Sequence, residues 1–260
     1  MNFKALTYSK KQWESEFFGI NYYGIEFLEK VSENEFGAQL ATFVEEVDFT
    51  LVECSLDISY INYAKILEQQ GFQLIDSRIT FTTLINAEDK TFDYPNMHSD
   101  YLIRNELPED KDSIIRLTHR YLTNNSGFIS RYKDLNYFGE KDAEKYFETW
   151  INYCLNKEST HTAVAIYEDE VVGFFIFEEK ENQGDTPLYK GILCAVENAH
   201  QGKKLHLSMQ SFLFKQFEQK EFYLDNTTQL SNYPVVKNHI RSMRRLDKMS
   251  LTFILKKYSN

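Results

Sequence analysis

The tightest constraint on the fold is the order in which strand-period and helix-period segments alternate from residue 100 onward. YLIRNEL (101–107) alternates apolar and polar residues, the mark of a half-buried strand. Pro108 and the acids Glu109, Asp110 and Asp112 then open a helix carrying Ile114, Ile115 and Leu117. Proline fits the first helical position, and acids fit the positive end of the helix dipole. A second helix is expected over 143–155, with Tyr146, Phe147, Trp150 and Tyr153 on one core-facing stripe. HTAVAIYEDEVVGFFIFEE (161–179) reads as a hairpin turning at Glu168-Asp169-Glu170. LYKGILCAVE (188–197), EFYLDNTTQ (221–229) and MSLTFILKK (249–257) read as strands; 203–219 and 232–245 read as the helices between them. The order is β-α-α-β-β-β-α-β-α-β.

Upstream, FTLVECSLD (49–57) reads as a strand, INYAKILEQQ (61–70) as a helix and QLIDSRITFTTLI (73–85) as a second strand. Gly71 sits where a left-handed residue would close that helix. Strand, helix and a strand holding Thr80-Phe81 echo the end of the chain, where Thr252-Phe253 recurs, as a half-duplicated unit would. The polar stretch 86–100, with Pro95, breaks the periodicity on both sides. It divides an N-terminal α/β lobe (1–88) from a larger domain (100–260) through a linker (89–99). Aromatic residues make up 15% of the chain, which favours a sheet-rich core.

A net charge of −10 disfavours nucleic acid as a partner, because backbone binding needs an excess of Lys and Arg. No run of about 18 apolar residues is present, so no membrane span is expected. The first residues lack a signal peptide's apolar region. Cys54, Cys154 and Cys194 form no zinc-like spacing and read as reduced thiols, which points to a cytoplasmic protein without a metal.

Two segments carry chemistry. In LCAVENAHQGKKLHLSM (193–209) a strand turns into a helix whose first amides form a natural pyrophosphate cradle, with Lys203, Lys204 and His206 in the turn. In TTQLSNYPVVKNHIRS (227–242), Asn232 precedes a helix bearing His239, and Tyr233 stands before Pro234. Lys237, Arg241, Arg244 and Arg245 are expected on one face of that helix, as a solvated charge run or an anion patch.

These junctions and the element order resemble the GNAT superfamily of acyl-CoA N-acyltransferases. The resemblance implies a GNAT-type α/β (α+β) fold: a mixed, mostly antiparallel sheet flanked by helices, preceded by a truncated GNAT-like lobe. It implies acetyl-CoA as co-substrate, with Cys194, Ala195 and Val196 along the pantetheine arm and the loop Gln201, Gly202, Lys203, Lys204, Leu205 and His206 at the pyrophosphate. Lys204 and His206 occupy the family's two small-residue positions, so either their side chains point away or the donor site is altered. Asn232 matches the family asparagine near the coenzyme. His239 stands where the family tyrosine protonates the departing thiolate, with Tyr233 as the other candidate; water or Asp225 could serve as base.

WESEFFGI (13–20), GFQLIDSRITF (71–81) and SRYKDLNYF (130–138) are similar to one branch, the dTDP-4-amino-4,6-dideoxygalactose N-acetyltransferases. That likeness implies a dTDP- or UDP-linked amino-sugar acceptor for surface polysaccharide, with Arg131 meeting its diphosphate or, equally, pairing with Asp134. A homodimer is left open. The rival readings are a GNAT-fold binding or regulatory module without turnover and, disfavoured by charge, a tRNA-dependent aminoacyltransferase.

Overall fold

The computed structural model describes residues 3–86, 88, 100–123, 130–134, 136–217 and 220–257. The expected linker, 89–99, lies outside the described residues.

The chain opens with β1 (Leu6–Lys10), α1 (Gln12–Phe18), β2 (Tyr22–Phe27) and α2 (Glu33–Glu46). Ser32 caps α2 by accepting from the Glu35 amide at 3.2 Å, and Phe36, Leu40 and Phe43 form its buried stripe. Then come β3 (Leu51–Asp57), α3 (Ala64–Gln69) and β4 (Gln73–Asn86). Gly71, with φ +87°, closes α3 as expected.

The second part holds β5 (Leu102–Asn105), α4 (Lys111–Thr118), α5 (Glu140–Leu155), β6 (Thr160–Tyr167), β7 (Glu170–Gln183) and β8 (Thr186–Val196). It ends with α6 (Leu205–Phe214), β9 (Glu221–Gln229), α7 (Tyr233–Arg241) and β10 (Leu246–Lys256). The β6–β7 turn is made by Glu168 and Asp169, both at positive φ (48° and 63°), as two-residue hairpin turns demand. No helix among the described residues is long and apolar enough to cross a membrane.

All ten strands join one sheet in the order β1-β2-β3-β10-β4-β9-β8-β7-β6-β5. Every pairing is antiparallel except β2 with β3 and β8 with β9. The sheet is therefore continuous across the two parts of the chain, because β10 pairs with both β3 and β4. One face carries α2 and α3 over Val52, Cys54 and Phe253, and α6 over Phe175, Phe177 and Phe222. The other face carries α4 and α5 over Val164, Phe174 and Ile176, with Trp13, Phe17 and Phe18 of α1 joining the same core through Tyr146.

A buried ionic knot fastens that second core to the early strands. Glu53 of β3 is 9% exposed and pairs with Arg131 Nε at 3.1 Å and with Lys11, while the Tyr22 hydroxyl donates to it at 2.6 Å. Burial by itself would raise the Glu53 pKa. Arg131 and Lys11 outweigh burial and hold the carboxyl at about 2.

An unfolded glutamate titrates near 4.3 and the folded one lower. The knot's contribution is thus present above about pH 4.3 and is lost as pH falls towards 2. The difference is worth about 3 kcal/mol. Glu53→Gln should destabilise the chain by about 3–5 kcal/mol at pH 7, since it leaves Arg131 buried without its carboxylate. It should also flatten the acid limb of stability, as measured by urea unfolding from pH 7 to 3.

Candidate functional site

β8 and β9 run side by side only from Leu188/Tyr223 to Gly191/Asn226. Beyond that point β8 continues against β7 and β9 against β4, so the two strands part. The parting follows an irregularity at Ile192, where Phe177 pairs with Gly191 but Ile176 pairs with Leu193. Asn226 lies across the vertex: a Cβ on Gly191 would stand 2.1 Å from Asn226 Oδ1, so any larger residue there would force the Asn226 side chain to move.

The opening and the start of α6 lie at the same end of the sheet, since both follow the C-terminal end of β8. Lys204 is the residue before α6 and takes φ +59°, the left-handed conformation that glycine adopts at no cost. Gly202 has φ +79°. Lys204 is exposed, so its side chain leaves the first amides of α6 uncovered. A regular helix leaves those amides without internal acceptors.

The remaining loop residues are engaged otherwise. Gln201 Nε2 donates to the Val196 carbonyl at 3.1 Å and to Asn198 Oδ1 at 2.9 Å, bracing the turn. Lys203 Nζ donates to the Tyr101 hydroxyl at 2.6 Å and lies over the Tyr101 and Tyr167 rings. Leu205 and Ala195 are core residues, and burial pushes the Cys194 thiol up to about 12. Asn232 precedes α7 and donates to Thr228 Oγ1 at 3.1 Å.

Behind the vertex, α6 and the end of α7 enclose a polar cluster that the sequence reading missed. His239 is 5% exposed and lies against Phe81, with ring centroids 4.9 Å apart. Burial, with His206 and Arg244 close by, pushes its pKa down to about 3. Burial and Arg244 push His206 down to about 4. Arg244 donates to Gln210 Oε1 at 3.1 Å. Gln210 Nε2, Asn226 Nδ2 and His206 Nε2 are buried without a hydrogen-bond partner.

Two expectations change here. The four basic residues do not share a helix face: α7 ends at Arg241, and Arg244 turns inward to 5% exposure while Lys237, Arg241 and Arg245 stay outside. Arg131 neither stands free for a ligand nor pairs with Asp134. It is buried against Glu53, its guanidinium stacked 4.5 Å from the Tyr132 ring.

A coenzyme A thioester fits what is present. The α6 amides and positive-φ turn suit its pyrophosphate, the unpaired edge of β8 past Gly191 suits an amide-bearing arm, and the orphaned amide donors at the vertex lack acceptors.

Because both imidazoles are held neutral, each opposes acidification: folded pKa values lie below the unfolded value of about 6.5. The stability they allow is full above pH 6.5 and falls as pH drops towards 4 and then 3, by up to about 1.4 kcal/mol per pH unit for each ring. His206→Gln with His239→Gln should abolish most of the stability loss between pH 7 and 5, read by urea unfolding at both pH values.

No protein-family model matches the chain, and no curated protein does. Solved structures do. A conserved Staphylococcus epidermidis protein of unknown function aligns with TM-score 0.62 and 10% identity, over 92% of this chain and 85% of its own. A tandem GNAT protein from the clavulanic acid biosynthesis pathway, solved without acetyl-CoA, aligns with TM-score 0.59 and 10% identity, over 93% and 77%. A GCN5-related N-acetyltransferase from Sphaerobacter thermophilus aligns with TM-score 0.56 and 12% identity, over 90% and 72%. At these identities the likeness is one of fold, and that fold is the GNAT fold, tandem proteins included.

Proposed function

We propose that this chain transfers an acetyl group from acetyl-CoA to the amine of a small acceptor, a nucleotide-linked amino sugar of the kind built into surface polysaccharide, in the cytoplasm. The observation that carries the acyl-transfer reading is the parting of β8 from β9 at Gly191 and Asn226, with the bare first turn of α6 at its open end. Support for the sugar comes from the sequence segments 13–20, 71–81 and 130–138 alone.

The activated acyl group would be supplied by the coenzyme. In this reading the amides of Leu205 and His206 hold phosphate, the Val196 edge and Asn232 flank the arm, and an amide past Ile192 polarises the acyl carbonyl. His239 is the proposed proton donor. Burial keeps the ring neutral, so in this reading it first takes the proton that the attacking nitrogen sheds from the tetrahedral intermediate and then passes it to the departing thiolate. Tyr233, 67% exposed at the start of α7, is the rival acid. A second reading, a GNAT-fold module without turnover, is favoured by Lys204 and His206 at positions the family gives to small residues.

Acetyl-CoA at about 100 times its dissociation constant should stabilise the fold by roughly 2.7 kcal/mol, and at one fixed concentration the shift should grow as salt is lowered. A thermal melt with no shift at any concentration would leave the module reading. With turnover established by thiol release, His239→Ala should lower kcat by about 10²–10⁴ with acetyl-CoA affinity nearly intact. Full activity in His239→Ala together with its loss in Tyr233→Phe would transfer the role to the tyrosine.

A further inference from the structure

On the face of the sheet opposite α7, the centre of β4 and β9 forms a polar floor. Their register pairs Arg78 with Gln229, Thr80 with Thr227 and Thr82 with Asp225, so these six side chains share one face. Ile79 and Phe81, on the other face, pack against Val236 of α7. The floor begins at the vertex, because Asp225 precedes Asn226 and pairs with Lys190 in the last turn of contact between β8 and β9.

Groups on this floor have unmet needs of opposite kind: Asp225 at the vertex and Asp76 further along each keep a buried oxygen without a partner, while Arg78 is a cation without one among the described residues. Asp225 Oδ1 is buried with no hydrogen-bond partner, so it lacks a donor. Arg78 is half-buried and makes no hydrogen bond or ion pair among the described residues, so its guanidinium lacks acceptors. Asp76, two residues before Arg78 on the same face and 8% exposed, supports the guanidinium's charge through space without a hydrogen bond. Arg131, the other arginine near the floor, is committed to Glu53.

Asp225 and Arg78 are set about 13 Å apart along the strands, at 3.3–3.4 Å per residue over four residues. The long arginine stem shortens that gap enough for the two charges to feel each other. A ligand satisfying both must offer hydrogen-bond donors at the vertex and acceptors several ångströms further along β4.

Resting on the acetyl-transfer reading, we propose that the acceptor is an amine carrying a phosphate-type anion, with Asp225 receiving the amine at the vertex and Arg78 seating the anion. The ammonium nitrogen gives one proton to the Asp225 carboxylate, which becomes the neutral acid, and keeps the freed electron pair for attack. Burial, which raises the Asp225 pKa, favours that protonation. Arg78 is a positioning residue: a guanidinium meets a phosphate through two parallel hydrogen bonds, a geometry that lysine lacks.

The test uses the full chain, acetyl-CoA, and two amines on the same ring, glucosamine and glucosamine 1-phosphate, followed by thiol release. Pyrophosphate added in a thermal melt to the chain already saturated with coenzyme A, so that the start of α6 is filled, reads the anion seat without any turnover. The phosphorylated amine should have a kcat/KM at least tenfold higher, through KM. Arg78→Gln should bring that ratio to about one, leave glucosamine unchanged, and remove stabilisation by pyrophosphate; Arg78→Lys should restore part of each. Asp225→Asn should lower kcat for both amines by about 10²–10⁴ with the pyrophosphate shift retained. Equal rates for the two amines, equal losses for both in Arg78→Gln, or full kcat in Asp225→Asn would overturn the proposal while leaving acetyl transfer standing. If neither amine reacts and acetyl-CoA does not bind, the acetyl-transfer reading falls. With coenzyme A bound, pyrophosphate stabilisation that Arg78→Gln does not alter would overturn the anion seat separately.

Discussion

The structure depends on where its last strand goes. β10 runs between β3 and β4, pairing with seven residues of one and eight of the other, so the chain's end is hydrogen-bonded into the sheet of its beginning. Without β10, β3 and β4 would have no strand between them. The parallel contact of β2 with β3 and that of β8 with β9 lie on either side of this strand. A sheet closed this way has its slow, non-local pairing at the centre, since residues 250–256 must find residues 51–57.

The second half of the chain was legible in the sequence because its signals are local. The strand at 221–229 and the Glu168-Asp169 turn need only alternation and a tight hairpin, and the structure has both as read. The first 48 residues were harder. α1 is seven residues long with Ser15 as its only buried side chain, and β1 alternates weakly between buried Leu6 and exposed neighbours. Such short elements are held by tertiary contacts such as Trp13 on Tyr146, which local periodicity does not encode. The continuous sheet was likewise invisible, since nothing in MSLTFILKK says which two strands it will join.

At the site, sequence reasoning found positions but misjudged environments. Lys204 looked like an obstruction at a small-residue position, yet its positive φ turns the side chain outward and leaves the helix start bare. Arg131 looked like a ligand residue because its partner is 78 positions away on another strand; Glu53 itself, inside FTLVECSLD, reads as one polar residue in an apolar run. Arg244 was read on a charged helix face and Gln210 was not singled out, and the packing of the α7 end against α6 makes them buried and bonded to each other.

The two faces of the vertex end up chemically opposed. On the α6 side stand Arg244 and two imidazoles that burial keeps uncharged, with amide N–H groups left over at Gln210 and Asn226. On the other side the leftover group at the vertex is the Asp225 carboxylate, an acceptor. A buried polar atom without a partner costs about 1–3 kcal/mol, so a chain selected for stability alone would fill these positions with apolar residues or complete their bonds. Donors on one side and an acceptor on the other, separated only by the Gly191–Asn226 contact, suit a reaction in which an acyl carbonyl and departing sulphur require donors while the attacking amine must lose a proton. The polarity of the vertex is thus not a demand of the fold.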